Sequence, residues 1–84
     1  MYANHVNYVN KEGKVYCCLR NKVVPLDEAQ VLGYCAGRPM NRGVELGKRV
    51  QCGWNDLRNI KNPHIVRDPY VEYTRMQTRK NDAV

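Results

Sequence analysis

The shortness of the chain is the feature that most limits its fold. With 84 residues it has room for one hydrophobic core, because short chains bury only a modest share of their surface and two cores would each be too small to offset conformational entropy. Hydrophobic residues make up 43% and charged residues 26% of the sequence, a composition typical of globular proteins and not of disordered ones. We therefore predict one small domain over residues 1–84, whose polar end, residues 79–84, frays.

Apolar and β-branched runs separated by glycine-containing turns predict an α+β fold that begins with a β-hairpin. The two runs of this hairpin are residues 7–9 and 14–19, which flank a turn ending at Gly13. A third strand is predicted over residues 44–52, with a bulge or turn at Gly47. The sequence thus predicts a hairpin and a third strand packed with helices.

Helical spacing predicts the remaining elements. A central helix is predicted over residues 25–34, because Pro25 suits the first helical position and apolar residues recur at helical spacing after it. The same reasoning predicts a short helix over residues 55–61. From Asp68 onwards the pattern fits a helix that starts at a capping residue, but the β-branched and aromatic residues also fit a strand, so both stay open. One or two short C-terminal elements are therefore expected.

An excess of basic residues indicates a polyanionic partner. The 14 Lys and Arg against 8 Asp and Glu give a net charge of +6, and a field of that sign attracts nucleic acid, DNA or RNA. Basic loops would contact phosphates while aromatic rings stack on unpaired bases. The predicted phosphate contacts are Arg38, Arg42, Lys48, Arg49, Arg58, Lys61 and Arg67. The candidate rings are Tyr16, Tyr34, Trp54 and Tyr70.

Motifs of the common enzyme classes are missing from the sequence. It has no nucleophile elbow, zinc-protease motif, phosphate-binding glycine loop or dinucleotide fingerprint, so we predict a binding protein and not an enzyme. A second function class stays open, namely a protein-interaction or inhibitor module that docks on an acidic protein or on a second copy of itself as a homodimer. An ordinary solvated surface would explain the same basic residues without any ligand.

The sequence pattern also bears on location. The first residues lack a charged start followed by an apolar run, and no stretch approaches the roughly 20 apolar residues that span a bilayer. We therefore expect no membrane association and a cytoplasmic location. In that reducing compartment cysteines are more often thiols or metal ligands than disulfides.

Four cysteines make a structural zinc ion the one cofactor to consider. Small domains often need such a staple, and soft thiolates with imidazole nitrogen suit zinc. The predicted ligands are Cys18, Cys35, Cys52 and His64. Cys17 or His5 could replace the histidine, although strand alternation predicts that Cys17 and Cys18 point to opposite faces. No two cysteines have the short spacing of a zinc knuckle, so small buried thiols are the competing interpretation.

Overall fold

The computed structural model describes the backbone of residues 2–82 and the side chains of residues 2–77. Within this part of the chain the elements are β1 (Tyr2–Tyr8), β2 (Lys14–Cys17), β3 (Lys22–Pro25), α1 (Glu28–Gln30) with a π-helical segment (Val31–Cys35), β4 (Asn41–Glu45), β5 (Arg49–Asn55), β6 (His64–Val66) and α2 (Pro69–Asp82). The predicted α+β class is confirmed. Of the segment predicted to fray, residues 79–82 have helical backbone and residues 83–84 lie outside the described residues.

The strands form two sheets. The larger has the order β4-β5-β1-β6, in which β1 pairs antiparallel with β5 and parallel with β6. The smaller is the β2–β3 hairpin, which α2 contacts. Neither helix within residues 2–82 combines the length and apolar character needed to cross a membrane.

The apolar core lies between the inner face of the larger sheet and the β2–β3 hairpin. Its buried members come from both sheets and from the segment around α1, and they are Val15, Val24, Leu26, Cys35 and Val50. Val15 and Val24 are opposite each other in the hairpin and so share one face. The two sheets are therefore held together by a small cluster of three valines, one leucine and one cysteine.

The predicted N-terminal hairpin is wrong in its strand pairing. Its turn forms, because the Asn10 side chain accepts the amides of Glu12 and Lys14, but β1 and β2 continue into different sheets. β1 instead pairs over its whole length with β5, from Tyr2 opposite Asn55 onwards. This longer ladder satisfies more backbone groups than the four residues of β2 offer, and it makes β1 an interior strand.

The central helix begins later than predicted. Pro25 is the last residue of β3, opposite Lys14 at the end of the hairpin, where its missing amide breaks no ladder bond inside the sheet. Asp27 provides the cap, because its Oδ1 accepts the Gln30 amide at 2.9 Å. The helical backbone then runs as α1 and the π-helical segment to Cys35.

Removing the Asp27 cap is expected to lower the stability of the folded protein. The Asp27→Ala variant should lose about 1 kcal/mol of the free energy of unfolding. The Gln30 amide, which donates to the Asp27 carboxylate in the unaltered protein, then has no side-chain acceptor. Urea denaturation followed by circular dichroism measures the change. Asp27→Asn keeps an acceptor and should stay close to the unaltered protein; equal losses in both variants would contradict the assigned cap.

Three further elements differ from or complete the sequence predictions. The predicted strand 44–52 is two strands, β4 and β5, joined by a tight turn at Gly47, whose φ of +79° suits glycine.

The predicted short helix over residues 55–61 is wrong. Residues 56–61 are irregular, because the Asp56 side chain accepts the Arg58 amide in a local turn. The open choice for the last element is settled as the helix α2, with Asp68 accepting the Tyr70 amide at its start.

Candidate functional site

The outer face of the larger sheet carries exposed and half-buried tyrosine rings and arginines. Directly opposed residues of neighbouring strands share a face, so Cys52 and His64, both opposite His5, lie with it on the inner side. Residues that alternate with these point outward. We define the open sheet face by its members Tyr2, Asn4, Val6, Tyr8, Arg42, Arg49, Gln51, Ile65 and Arg67.

One end of this face is built by Tyr2 and Arg42. The Tyr2 side chain is 49% exposed and passes over Gly53 of β5, where an added Cβ would collide with the tyrosine hydroxyl. The Arg42 guanidinium lies 5.8 Å from the Tyr2 ring centroid and donates a hydrogen bond to its hydroxyl. Glycine at position 53 therefore lets an aromatic ring and a cation lie flat against the sheet.

Tyr8 and two arginines build the other end. The Arg67 guanidinium lies 4.8 Å from the Tyr8 ring centroid, and Arg49 is directly opposite Tyr8 in the sheet. Glu45 is the carboxylate on this side, 2.7 Å from Arg49. Hydrogen bonding with Tyr8, together with the charge of Glu45, raises the pKa of Arg49 above its ordinary value, so the guanidinium stays charged.

The span between the two ends is apolar and polar in alternation. Tyr2 and Tyr8 are six positions apart on one strand, which places them about 20 Å from each other at the usual rise per residue. Between them lie Val6, which is buried, and the 43% exposed Ile65 of the neighbouring strand. The open sheet face thus offers two Tyr–Arg pairs with the exposed Ile65 between them.

The structure brings together three of the seven basic residues predicted to contact phosphates. Arg42, Arg49 and Arg67 share the open sheet face. Arg58 is turned inward and held by two carboxylates, which neutralise the charge a phosphate would need. The other three lie elsewhere and are exposed: Arg38 in the segment after the π-helical turn, Lys48 in the β4–β5 turn and Lys61 in the loop before β6.

None of the four predicted stacking rings lies on the open sheet face. Tyr16 is buried, and Trp54 stacks on His5 at 4.0 Å between ring centroids on the inner face. Tyr34 pairs with Arg20, and the Tyr70 hydroxyl donates to a glutamate. Sequence reasoning missed Tyr2 and Tyr8. The signal that could have found them is the period of two in β1, which places both on one face with Asn4 and Val6.

A buried ionic network lies on the inner face, made of His5, Asp56, Arg58, His64 and Glu72. Arg58 donates to both carboxylates, at 2.6 Å to Asp56 and 2.9 Å to Glu72. Asp56 is completely buried and 2.9 Å from His5 Nε2, while His64 is 3.3 Å from Glu72. These contacts link the loop after β5 to α2 and to the sheet.

Electrostatics in this network favour the charged forms of Asp56, Glu72 and Arg58. Burial alone would raise the pKa of Asp56, but hydrogen bonds from Arg58 and His5 outweigh it and hold that pKa well below its usual range. Burial acts the same way on Glu72, and Arg58 again lowers its pKa. His5 has an oxygen at each ring nitrogen, Asp56 at Nε2 and the Ala3 carbonyl at Nδ1. No imidazole nitrogen of His5 is therefore left for a substrate.

The cysteines gather in a third place. All four in the sequence line one small cavity together with Leu19, Tyr34, Arg38, Met40 and Asn41. Burial raises the pKa of the Cys52 thiol to about 12, with neighbouring cysteines adding to the rise. His64, predicted as a ligand with them, contacts Glu72 instead. Across the described residues, no three His, Cys, Asp or Glu side chains are arranged to hold a metal ion.

These three groups differ in what they present to solvent. The carboxylates and Arg58 of the ionic network bind one another, and His64 and Glu72 also line a cavity of about 170 Å³. The cysteine cavity is small and mostly apolar, whereas the open sheet face combines the exposed Tyr2 ring and the half-buried Tyr8 ring with cations. No family model, curated protein or solved structure matches the chain.

Proposed function

We propose that the open sheet face binds single-stranded nucleic acid, with arginines on phosphates and tyrosine rings on bases. The observation that carries the proposal is the pairing of Tyr2 with Arg42 and of Tyr8 with Arg67 on one exposed face. Single-strand binders combine a basic surface with aromatic rings on which bases stack, whatever the base sequence. Both components occur here within one sheet.

Charge supports the same partner. The open sheet face holds Arg42, Arg49 and Arg67, with Glu45 as the carboxylate beside them. The net charge of +6 for the chain adds a long-range attraction that speeds encounter with a polyanion. An acidic protein would feel the same attraction, but it would give the exposed rings no base to stack on.

The shape of the face favours unpaired strands over duplex. Four strands at about 4.8 Å spacing make a surface wider than the two-stranded ribbon that enters a major groove, and rings can stack only on bases that are not already paired. DNA and RNA both meet these requirements. Binding without catalysis, in the cytoplasm, completes the proposal.

Salt dependence tests it directly. Fluorescence anisotropy with labelled single-stranded DNA and RNA should show binding at about 50 mM salt that weakens by about 200 mM, with a slope of log K against log salt of about −2 for three phosphate contacts. A duplex of the same sequence should bind more weakly. Absence of binding to either single strand at the lower salt would exclude the proposal.

A matched pair of variants locates the binding surface. Arg67→Gln should reduce the salt slope by about 0.7, because one phosphate contact is lost. Arg20→Gln is the control, since Arg20 stacks on Tyr34 at 4.3 Å in the same kind of pair but away from the open sheet face. If the two variants lower affinity equally, the effect is one of net charge and the assigned face is wrong. Capture of a stoichiometric protein that resists nuclease, with no nucleic-acid binding, would favour the protein-interaction alternative.

A further inference from the structure

A groove lies between the edge strand β6 and the helix α2. Consecutive residues 64–68 line one side of it, and Val71, Glu72 and Arg75 of α2 line the other. Side chains of successive strand residues point to opposite faces of a sheet. A cavity that contacts all of β6 therefore lies along the edge of the strand and not over one face. We call this cavity the β6–α2 groove.

The strand β6 has an unpaired edge. It is the last strand in the order β4-β5-β1-β6, and within residues 2–82 no second strand pairs with it. Its paired side faces β1, with His5 opposite His64 and Asn7 opposite Val66. The other side of an edge strand presents backbone N–H and C=O groups with which another chain can pair. The β6–α2 groove thus has a wall that can accept an added strand.

Two arginines give the groove a positive charge. Arg67 and Arg75 line it, and among the side chains of residues 2–77 neither forms an ion pair. The two carboxylates beside them are already engaged, because Glu72 contacts Arg58 at 2.9 Å and Asp68 accepts amides at the start of α2. A ligand that carries carboxylates therefore complements the groove.

We propose that the β6–α2 groove binds an extended acidic peptide, which adds a strand beside β6. In this mode of recognition main-chain hydrogen bonds hold the peptide, and its alternate side chains contact the walls. The groove has a volume of about 170 Å³, below the roughly 300–1,000 Å³ of sites that enclose organic ligands. Its size suits a few side chains of a chain that lies across it. This binding goes beyond the function proposed for the open sheet face.

The two walls predict the sequence pattern of the peptide. On the strand side, the 43% exposed Ile65 is followed two positions later by Arg67, and on the helix side the 43% exposed Val71 is one turn from Arg75. Each wall thus offers one apolar side chain and one cation. Because alternate residues of an added strand point to opposite walls, the pattern Val-Val-Glu-Glu gives each wall one apolar and one acidic residue.

Titration with the peptide acetyl-Thr-Val-Val-Glu-Glu-Thr-amide tests the groove. Amide signals of residues 64–67 and 71–75 in nitrogen–proton correlation spectra of the full-length chain should shift, with a Kd on the order of 100 μM. Arg75→Gln should weaken binding about 10-fold, because a hydrogen bond between charged groups is lost. Arg20→Gln, which removes an arginine outside the groove, should not. Absence of saturation by about 1 mM peptide overturns the proposal.

Two methylated peptides test the main-chain pairing. A strand pairs with one neighbour through the N–H groups of every second residue. Methylating the nitrogens of the first Val and first Glu removes one set of donors, and methylating those of the second Val and second Glu removes the other. One methylated peptide should bind at least about 10-fold more weakly, and the other should bind like the unmodified one. Equal affinity of the two overturns strand addition.

Arg75 separates the groove from the nucleic-acid proposal. Arg67 belongs to both surfaces, whereas Arg75 lies outside the open sheet face. Arg75→Gln should therefore lower the affinity for single-stranded DNA no more than Arg20→Gln does. An equal loss of peptide and DNA binding in Arg75→Gln would assign the groove to nucleic acid and overturn the peptide proposal. Peptide binding is measured without nucleic acid, so the two proposals succeed or fail separately.

Discussion

The Asp56→Asn variant is expected to lose about 3–5 kcal/mol of the free energy of unfolding, a large part of the stability of a small domain. Asp56 is fully buried and receives hydrogen bonds from Arg58 and His5. An asparagine amide would turn an N–H donor towards these donors and leave the Arg58 charge with Glu72 alone. Urea denaturation near neutral pH measures the loss.

The same network gives stability a defined pH dependence. The pKa values of Asp56 and Glu72 lie below their ordinary values of 3.8 and 4.5 in the folded protein, so the unfolded chain takes up protons first as pH falls. The stabilisation is therefore complete above about pH 4.5 and is lost as pH falls from there through the folded pKa values. We call the fall in the free energy of unfolding below about pH 4.5 the acid limb. Asp56→Asn should make this fall smaller, since one of the two carboxylates is gone.

An exposed ion pair provides the matched control. Glu45 contacts Arg49 at 2.7 Å, but both side chains are exposed by a third or more, and such surface pairs contribute about 0–1 kcal/mol. Glu45→Gln should therefore shift the urea midpoint little and keep the acid limb. A loss below about 1 kcal/mol for Asp56→Asn as well would mean that the buried network does not stabilise the fold.

The double variant Tyr2→Ala, Tyr8→Ala is expected to weaken single-strand binding by roughly 30-fold or more, because stacking contributes about 1–3 kcal/mol per base. The proposed interface has these two rings at its ends, each beside an arginine. Anisotropy titrations with the same labelled strands measure the loss, and circular dichroism confirms that the variant is folded.

Two controls separate stacking from general damage. Tyr2→Phe, Tyr8→Phe keeps both rings and should retain most of the affinity, whereas Tyr34→Ala removes a ring paired with Arg20 outside the open sheet face. Equal affinity of the double alanine variant and the unaltered chain would show that the rings are not in the interface.

Local pattern was sufficient where a single segment determines the outcome. The turn at Gly47 follows from one residue with positive φ. The capping residue Asp68 fitted a helix start, but the pattern after it also fitted a strand, and the structure decided for α2. Pattern failed at Pro25, where two local interpretations, first helical residue and last strand residue, are both sterically allowed. Packing of β3 against β2 decided between them, and that information lies in another segment.

Sequence by itself indicated the α+β class, the turn before β2 and parts of β1, β2, β4 and β5, because side-chain periodicity and glycine geometry act over a few residues. It did not predict β3 or β6. Tertiary structure alone decided that β1 pairs with β5 and β6, that Arg58 turns inward while Arg42, Arg49 and Arg67 share one face, and that the four cysteines meet at one cavity. The physical reason is that strand order and register arise from competition among distant segments for the same backbone hydrogen bonds and the same core. Side chains far apart in the chain become neighbours only once that competition is resolved.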